Sequence, residues 1–336
     1  MTVTDIDPSR RKPCAQDGPA KTEVFLMRVF VTGASGWIGS AVVPELISAG
    51  HQVTGLARSD ASAAALAAAG AQPHRGDLDD VGSLRDAAAA AGGVIHLAFK
   101  HDLAFTGDFQ GAADSDRRAV ETFGDALAGS GRPLLIASGT LGLAPGRVGT
   151  EQDGHGPAPE AATMGAGPRT RLATAELALS LASRGVRSCV VRLPPTVHGD
   201  GDHGFMATLV AIARDKGVSG YIGDGSSRWP AAHRLDAARL FRLALEQAPA
   251  GSTLHAVADE GVPIRDIAAV IGRHLNLPVA AISPEDAAGH FTWLAGYLAT
   301  DSPASSTLTR ELLGWQPAHP GLIDDLGKGH YFHQPG

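Results

Sequence analysis

From Met27 onward the chain alternates between short apolar runs and longer segments whose apolar residues recur at helical spacing. Residues 27–31 form the first apolar run. A glycine-rich turn closes it, and residues 37–48 follow with helical periodicity and a stop at Gly50. The same pattern predicts strands over 52–57, around 72–75, and over 94–97, 133–137 and 186–192. It predicts helices over 61–69, 81–91, about 114–130 and about 171–183. Six strand-then-helix units in this order imply an α/β fold, a doubly wound parallel sheet with helices on both faces.

The stretch 142–169 is rich in Gly, Pro and Glu and reads as a long loop at the carboxyl edge of the sheet, where such loops are functional or mobile. After Pro195 the alternation fails. Glycine-rich segments at 199–204 and 220–227 separate helices near 205–216 and 235–247, and a strand over 253–257 and a helix over 264–275 precede an irregular apolar tail. The expected organisation is a disordered leader over 1–26, a main domain over 27–195 to which 226–250 returns, and a small C-terminal substrate-binding cap over 196–225 and 251–332.

Composition narrows the classes of function. The 336 residues are 44% hydrophobic and 19% charged, as in an ordinary globular protein. The net charge is −7 and the cations form no stripe, which argues against a nucleic-acid partner. Cys14 and Cys189 are too few and too far apart for a disulfide framework or a paired metal spacing, and Cys189 reads as a small buried residue on a strand. No apolar run approaches the roughly 18 residues a membrane span needs. Arg10-Arg11-Lys12 is not followed by the apolar segment of an export signal, so the protein is expected to be soluble and cytoplasmic, with Met27 a plausible second start.

The chemistry begins at Gly33-Ala34-Ser35-Gly36-Trp37-Ile38-Gly39, directly after a strand and directly before a helix. In that context the glycines predict a dinucleotide turn: a tight bend, a close approach to a pyrophosphate, and an anion site at a helix N-terminus. The plain alternative is a tight strand–helix turn with no ligand. Strand two ends at Arg58, where an NAD-preferring site would offer a carboxylate to the ribose. Arg58 can instead pair with a 2′-phosphate, so NADP(H) is favoured and NAD(H) kept open. Asp77 and Leu78 follow strand three, where an Asp can reach the adenine amine.

Together with Val94-Ile95-His96-Leu97-Ala98, Ile136-Ala137-Ser138-Gly139-Thr140, Arg192-Leu193-Pro194-Pro195-Thr196-Val197-His198-Gly199 and the run from Arg228-Trp229-Pro230 to Asp236, these residues resemble the short-chain dehydrogenase/reductase superfamily. The resemblance is to its extended or atypical branch, the NAD-dependent epimerase/dehydratase-like proteins, and covers residues 27–331. It implies a Rossmann-type sheet and a bound nicotinamide dinucleotide. Leu97 and Ala98 would line the ribose region, Ser138 or Thr140 would take the active-site serine position, and Pro194 and Val197 would border the nicotinamide. Arg228 and Trp229 would face substrate or link the domains, and a homodimer would be the family's habit.

The chain departs from that family at its proton donor. The resemblance implies a Tyr and, four residues on, a Lys after strand five. Anchored on Glu176, those places fall at Pro168 and Leu172, and no Tyr precedes Tyr221. A substitute must lie at the carboxyl ends of the strands. Lys100 and His101 after strand four, and His198 after strand six, are candidates whose plain alternative is a solvated loop residue; Tyr221 could enter from the cap. The run 198–203 looks superficially like a metal cluster but has no second cluster to complete a shell. The expected function is an NADP(H)-dependent oxidoreductase acting on a carbonyl or hydroxyl of a small organic molecule with a non-standard proton donor. The alternatives are a non-catalytic NADP(H) sensor and a nicotinamide-dependent epimerase or dehydratase.

Overall fold

The computed structural model describes residues 26–144, 146–155 and 166–333. The expected leader, with Cys14, lies outside the described residues except for Leu26. Strand β1 (Arg28–Thr32) is buried from its second residue on, as a strand covered on both faces must be. The glycine turn leads into α1 (Gly39–Ser48), which packs Ala41, Val42, Val43 and Leu46 inward. There follow β2 (Gln52–Ala57), α2 (Asp60–Ala68), β3 (Gln72–Arg75), α3 (Val81–Ala90), β4 (Gly93–His96), α4 (His101–Phe105), α5 (Phe109–Leu127), β5 (Pro133–Gly139), α6 (Ala166–Ser180) and β6 (Arg187–Leu193). Local chemistry starts these helices where they start. Ser59 and Ser62 form a reciprocal capping box on α2, and Asp80 and Asp108 cap α3 and α5 by accepting from Ser83 and Gly111 N–H.

Beyond β6 the chain forms β7 (Thr196–His198), α7 (Phe205–Lys216), β8 (Ser219–Ile222), β9 (Arg228–His233), α8 (Arg234–Gln247), β10 (Ser252–His255), β11 (Asp259–Pro263), α9 (Ile264–Leu275) and β12 (Val279–Ile282). The main sheet has seven strands in the order β10-β6-β5-β4-β1-β2-β3, all parallel. The chain runs outward from β1 through β2 to β3, then returns to β4 on the other side of β1. The carboxyl ends of β1 and β4 therefore flank a topological switch point, the place where such sheets bind ligands. One core layer joins Leu46 of α1, Phe241 of α8 and Trp315 over one face, and another joins Leu84 of α3, Phe123 of α5 and Ala178 of α6 over the other.

A second lobe carries a three-stranded sheet, β11-β9-β7, a two-stranded sheet, β12-β8, and a separate core of Trp229, Ile267, Phe291, Leu298 and Leu322. Its boundaries correct the expected cap. Ser252–His255 does not belong to it: this strand pairs with β6, Ser252 opposite Cys189, and is the outermost strand of the main sheet. Leu313 and Trp315 return to the main core as well. The segment 226–250 divides, with β9 in the small sheet and α8 on the main one. The linear pattern misassigned these pieces because only the partner, distant in sequence, distinguishes one sheet and core from the other.

Candidate active site

The glycine turn is built by crowding. Gly33 has φ +64, and a Cβ there would lie 2.7 Å from Ala98 N and 2.8 Å from the Leu97 carbonyl carbon. A Cβ on Gly39 would lie 2.1 Å from the Gly33 oxygen, so α1 can sit against β1 only with glycine there. Gly36 differs: its Cβ would meet nothing nearer than the Gly33 oxygen at 3.2 Å, and both it and Ser35 are exposed. The space that a side chain on Gly36 would fill lies before the N-terminus of α1, which no side chain caps. Free N–H groups, a helix dipole and an open approach suit a pyrophosphate. Ile38 is the N-cap residue of α1.

Beneath the turn lies a buried polar relay that the sequence did not disclose. His96 Nε2 is 3.0 Å from Asp116 Oδ1, and its Nδ1 is 2.6 Å from Thr32 Oγ1. The carboxylate can only accept, so Nε2 carries a proton, Nδ1 and the Thr32 hydroxyl share a hydrogen bond, and Thr32 Oγ1 accepts from Ala98 N–H at 3.3 Å. The relay pins the ends of β1 and β4 to α5 and so holds Gly33, Leu97 and Ala98 in place. Its signals were a His within an otherwise apolar strand and an Asp on the buried face of a helix.

Around the ends of β2 and β3 the structure gathers charge. Arg58 lies 3.6 Å from Asp102, both largely exposed. Lys100 is 3.6 Å from Asp77 and bonded to Asp79, so it turns toward β3, away from the end of β5. That bond, with one from the Ser115 hydroxyl, holds Asp79 below the usual carboxylate range. Leu78 is buried in the core beneath.

The ends of β4 and β5 form the other half of the crevice. Ser138 is mostly buried, yet its hydroxyl makes no hydrogen bond among the described residues and is not enclosed. Thr140 is fully buried, with an enclosed and unpartnered Oγ1. His101 opens α4 with its ring edge-on to Phe99, 5.1 Å between centroids. Partial burial and then the charge of Arg171 push its imidazole below the ordinary value of 6.5. Arg171 was not anticipated. It stands next to Leu172, donates through Nη2 to the Ala137 carbonyl at 3.2 Å, and lays its guanidinium over the Phe99 ring at 4.3 Å. A cation one residue from the vacant lysine place was the available signal.

Trp37 joins the glycine turn to the second lobe, donating from Nε1 to the Val197 carbonyl at 2.8 Å while Arg234 stacks on its ring at 4.5 Å. Pro194 is buried beside this contact. His198 is not a loop residue: it ends β7, is fully buried and holds Asp325 Oδ2 at 2.9 Å. The run 198–203 diverges, since Asp202 accepts from the Tyr331 hydroxyl and His203 packs against Trp37. Tyr221 lies on β8 within the second lobe. Arg228 is clamped by both oxygens of Asp301, and Trp229 is wholly buried, donating to the Tyr297 carbonyl. Arg171 thus ties the end of β5, one residue before Ser138, to Phe99 and His101 beyond β4, while Lys100, His198, Arg228 and Trp229 are engaged elsewhere.

A glycine-turn Rossmann sheet with a second lobe defines a class of nicotinamide-dependent enzymes. Residues 29–257 match the NAD dependent epimerase/dehydratase family, and the chain belongs to it, among NAD(P)-dependent oxidoreductases of the short-chain dehydrogenase/reductase type. It is 48% identical over 307 residues, 91% of this chain and 100% of the relative, to an uncharacterized protein of Schizosaccharomyces pombe. It is 27% identical over 252 residues, 71% of this chain and 70% of the relative, to a 4-hydroxy-2-methyl-3-oxo-4-farnesyl-3,4-dihydroquinoline-1-oxide ketoreductase of Stigmatella aurantiaca. Its fold is similar to that of the dTDP-glucose 4,6-dehydratase DesIV from Streptomyces venezuelae, solved with NAD and TYD bound. The TM-score is 0.70 at 19% identity, over 90% of this chain and 96% of that one. Among the described residues no helix is long and apolar enough to cross a membrane.

Proposed function

We propose that this protein is an NADP(H)-dependent oxidoreductase that interconverts a carbonyl and a hydroxyl on a small organic substrate with a proton donor other than tyrosine. The observation that carries this reading is the Ser138 hydroxyl, which no described residue engages, one strand from the switch point. A bound nicotinamide supplies or accepts the hydride. The N–H groups around Gly36 and the α1 terminus hold its phosphates, and Leu97 and Ala98 border its ribose. Arg58 exchanges Asp102 for a 2′-phosphate at little cost, because an ion pair this exposed is screened by solvent and contributes little. Ser138 hydrogen-bonds the reacting oxygen, and His101 moves the proton between that oxygen and solvent. A second reading is an epimerase or dehydratase, favoured by the family match and by the dehydratase among the structural neighbours.

The test is NADPH and NADH consumption against a panel of aldehydes, ketones and 2-oxo acids with product analysis. Net cofactor oxidation equal to product formed is expected. Product formed without net oxidation would establish the second reading, and cofactor binding with no product from any member would leave a sensor. The Arg58→Ala variant should raise the NADPH KM about tenfold to a hundredfold and leave NADH nearly unchanged. Equal losses for both would overturn the NADP assignment.

A further inference from the structure

Among the described residues none supplies a carboxylate counter-charge to Arg171 at the place where the reaction is proposed to occur. The last β4–β5 pair is His96 with Ile136, so Ala137 is the first residue of β5 to extend past the end of β4. Arg171 uses one N–H on the carbonyl at that step and lies flat on Phe99, which Phe109 and His101 hold from two other sides. Among the described residues no carboxylate comes within ion-pair distance of it. The acids nearby are committed elsewhere: Asp116 to His96, Asp102 to Arg58, Asp79 to Lys100, and Glu176 to His155. Burial pushes the guanidinium below its ordinary value, and only the distant charge of Asp116 opposes that. The phosphates of a dinucleotide at the glycine turn of β1 would lie two strands away.

A largely buried cation to which no described carboxylate is paired is costly unless something arrives to neutralise it. The remaining N–H groups form a planar fork, which matches a carboxylate bidentately. We propose that Arg171 holds a carboxylate on the substrate, so that the substrate is an oxo acid or the corresponding hydroxy acid, with its carbonyl presented to Ser138. This inference rests on the reading of the Ser138 edge as the reacting site. It goes beyond that reading by naming the substrate class.

The experiment compares phenylglyoxylate with its methyl ester, and 3-oxobutanoate with its methyl ester, as substrates with NADPH. Wild type should favour each acid by about ten- to a hundredfold in kcat/KM. Arg171→Met, which keeps the length of the side chain over Phe99, should remove that preference, bringing the acid-to-ester ratio of kcat/KM to about one. Arg171→Lys, keeping the charge without the fork, should retain part of it and serves where the Met variant fails to fold. A binding readout separates this inference from the parent one. Benzoate titrated into the protein–NADPH complex should bind to wild type and not to Arg171→Met, even if no panel member is reduced, in which case the oxidoreductase reading alone fails. The inference is overturned by esters turned over as well as acids, by equal loss of both in Arg171→Met, or by benzoate that fails to bind wild type or binds the variant equally.

Discussion

Two hydroxyls, two residues apart near the end of β5, occupy opposite environments. Among the described residues the Ser138 hydroxyl has no partner and is not enclosed, whereas Thr140 Oγ1 is enclosed without a partner. Removing a hydrogen-bond donor to a reacting oxygen costs about a hundredfold to a thousandfold in kcat. Replacing an unsatisfied buried hydroxyl by a methyl of the same shape is neutral or stabilising. Ser138→Ala should therefore lower kcat by that factor with an unchanged melting temperature, and Thr140→Val should leave kcat within about threefold and stability equal or higher. Steady-state kinetics and thermal melts of the two variants check this, and the reverse order of losses would move the proposed contact to Thr140. From the sequence the two were equivalent, since burial separates them and burial is decided by Leu193 and Ser302, which bond to the Thr140 backbone from elsewhere in the chain. Arg171 escaped notice for a related reason. Its importance lies in a stacking partner 72 positions earlier and in the absence of an acid partner among the described residues, neither of which is a motif.

Helices and strands whose causes are local were readable in advance. The helix expected over 264–275 is the one observed, Ile264–Leu275, because Ile264, Ile267, Ala268 and Ile271 repeat on one buried face and Asn276 ends it in the left-handed region. The glycine turn was equally legible, since its glycines stand between a strand and a helix in one short run, although the crowding that requires Gly33 comes from Leu97 and Ala98. The small strands β7, β8, β9, β11 and β12 were not. Arg228–His233 carries neither alternation nor a continuous aliphatic run, and it is a strand because β7 and β11 flank it. The steric reading of the turn makes a sharp claim about α1. Gly39→Ala puts a methyl on backbone atoms that cannot rotate away, so α1 must shift off β1 at a cost of roughly 1–3 kcal/mol. The variant should melt several degrees lower and bind NADPH at least tenfold more weakly in a fluorescence titration. An unchanged affinity would mean that the helix N-terminus is not what holds the phosphates.

At the scale of the whole molecule the two lobes are joined by a C-terminal segment rich in imidazoles. Trp315 donates to the Asp236 carbonyl at 3.0 Å, and Asp236 in turn accepts from the backbone of Ala318 and His319. His319 stacks on His233 at 4.7 Å, His233 meets His198 edge-on at 5.5 Å, and Asp325 sits between His198 and His330. Burial, and then the neighbouring His198 and His319, lower His233 from 6.5 to about 4, against the weaker opposite pull of Asp325 and Asp236. His255, buried on β10 against Ser305, is lowered too, first by burial and against the pull of Glu151. A histidine whose folded pKa lies below its unfolded value is protonated more readily in the unfolded chain. Such a group leaves stability intact above about pH 6.5 and removes it as pH falls from there toward 4, by about 1.4 kcal/mol per pH unit where the two states differ by a full proton. The melting temperature should thus be flat from pH 8 to 7 and decline steeply between 6.5 and 4. His233→Gln, which cannot take up the proton, should lose part of that slope while melting below wild type at pH 7.5. Parallel pH dependences for variant and wild type would show that the acid sensitivity resides in the carboxylates and not at the joint between the lobes.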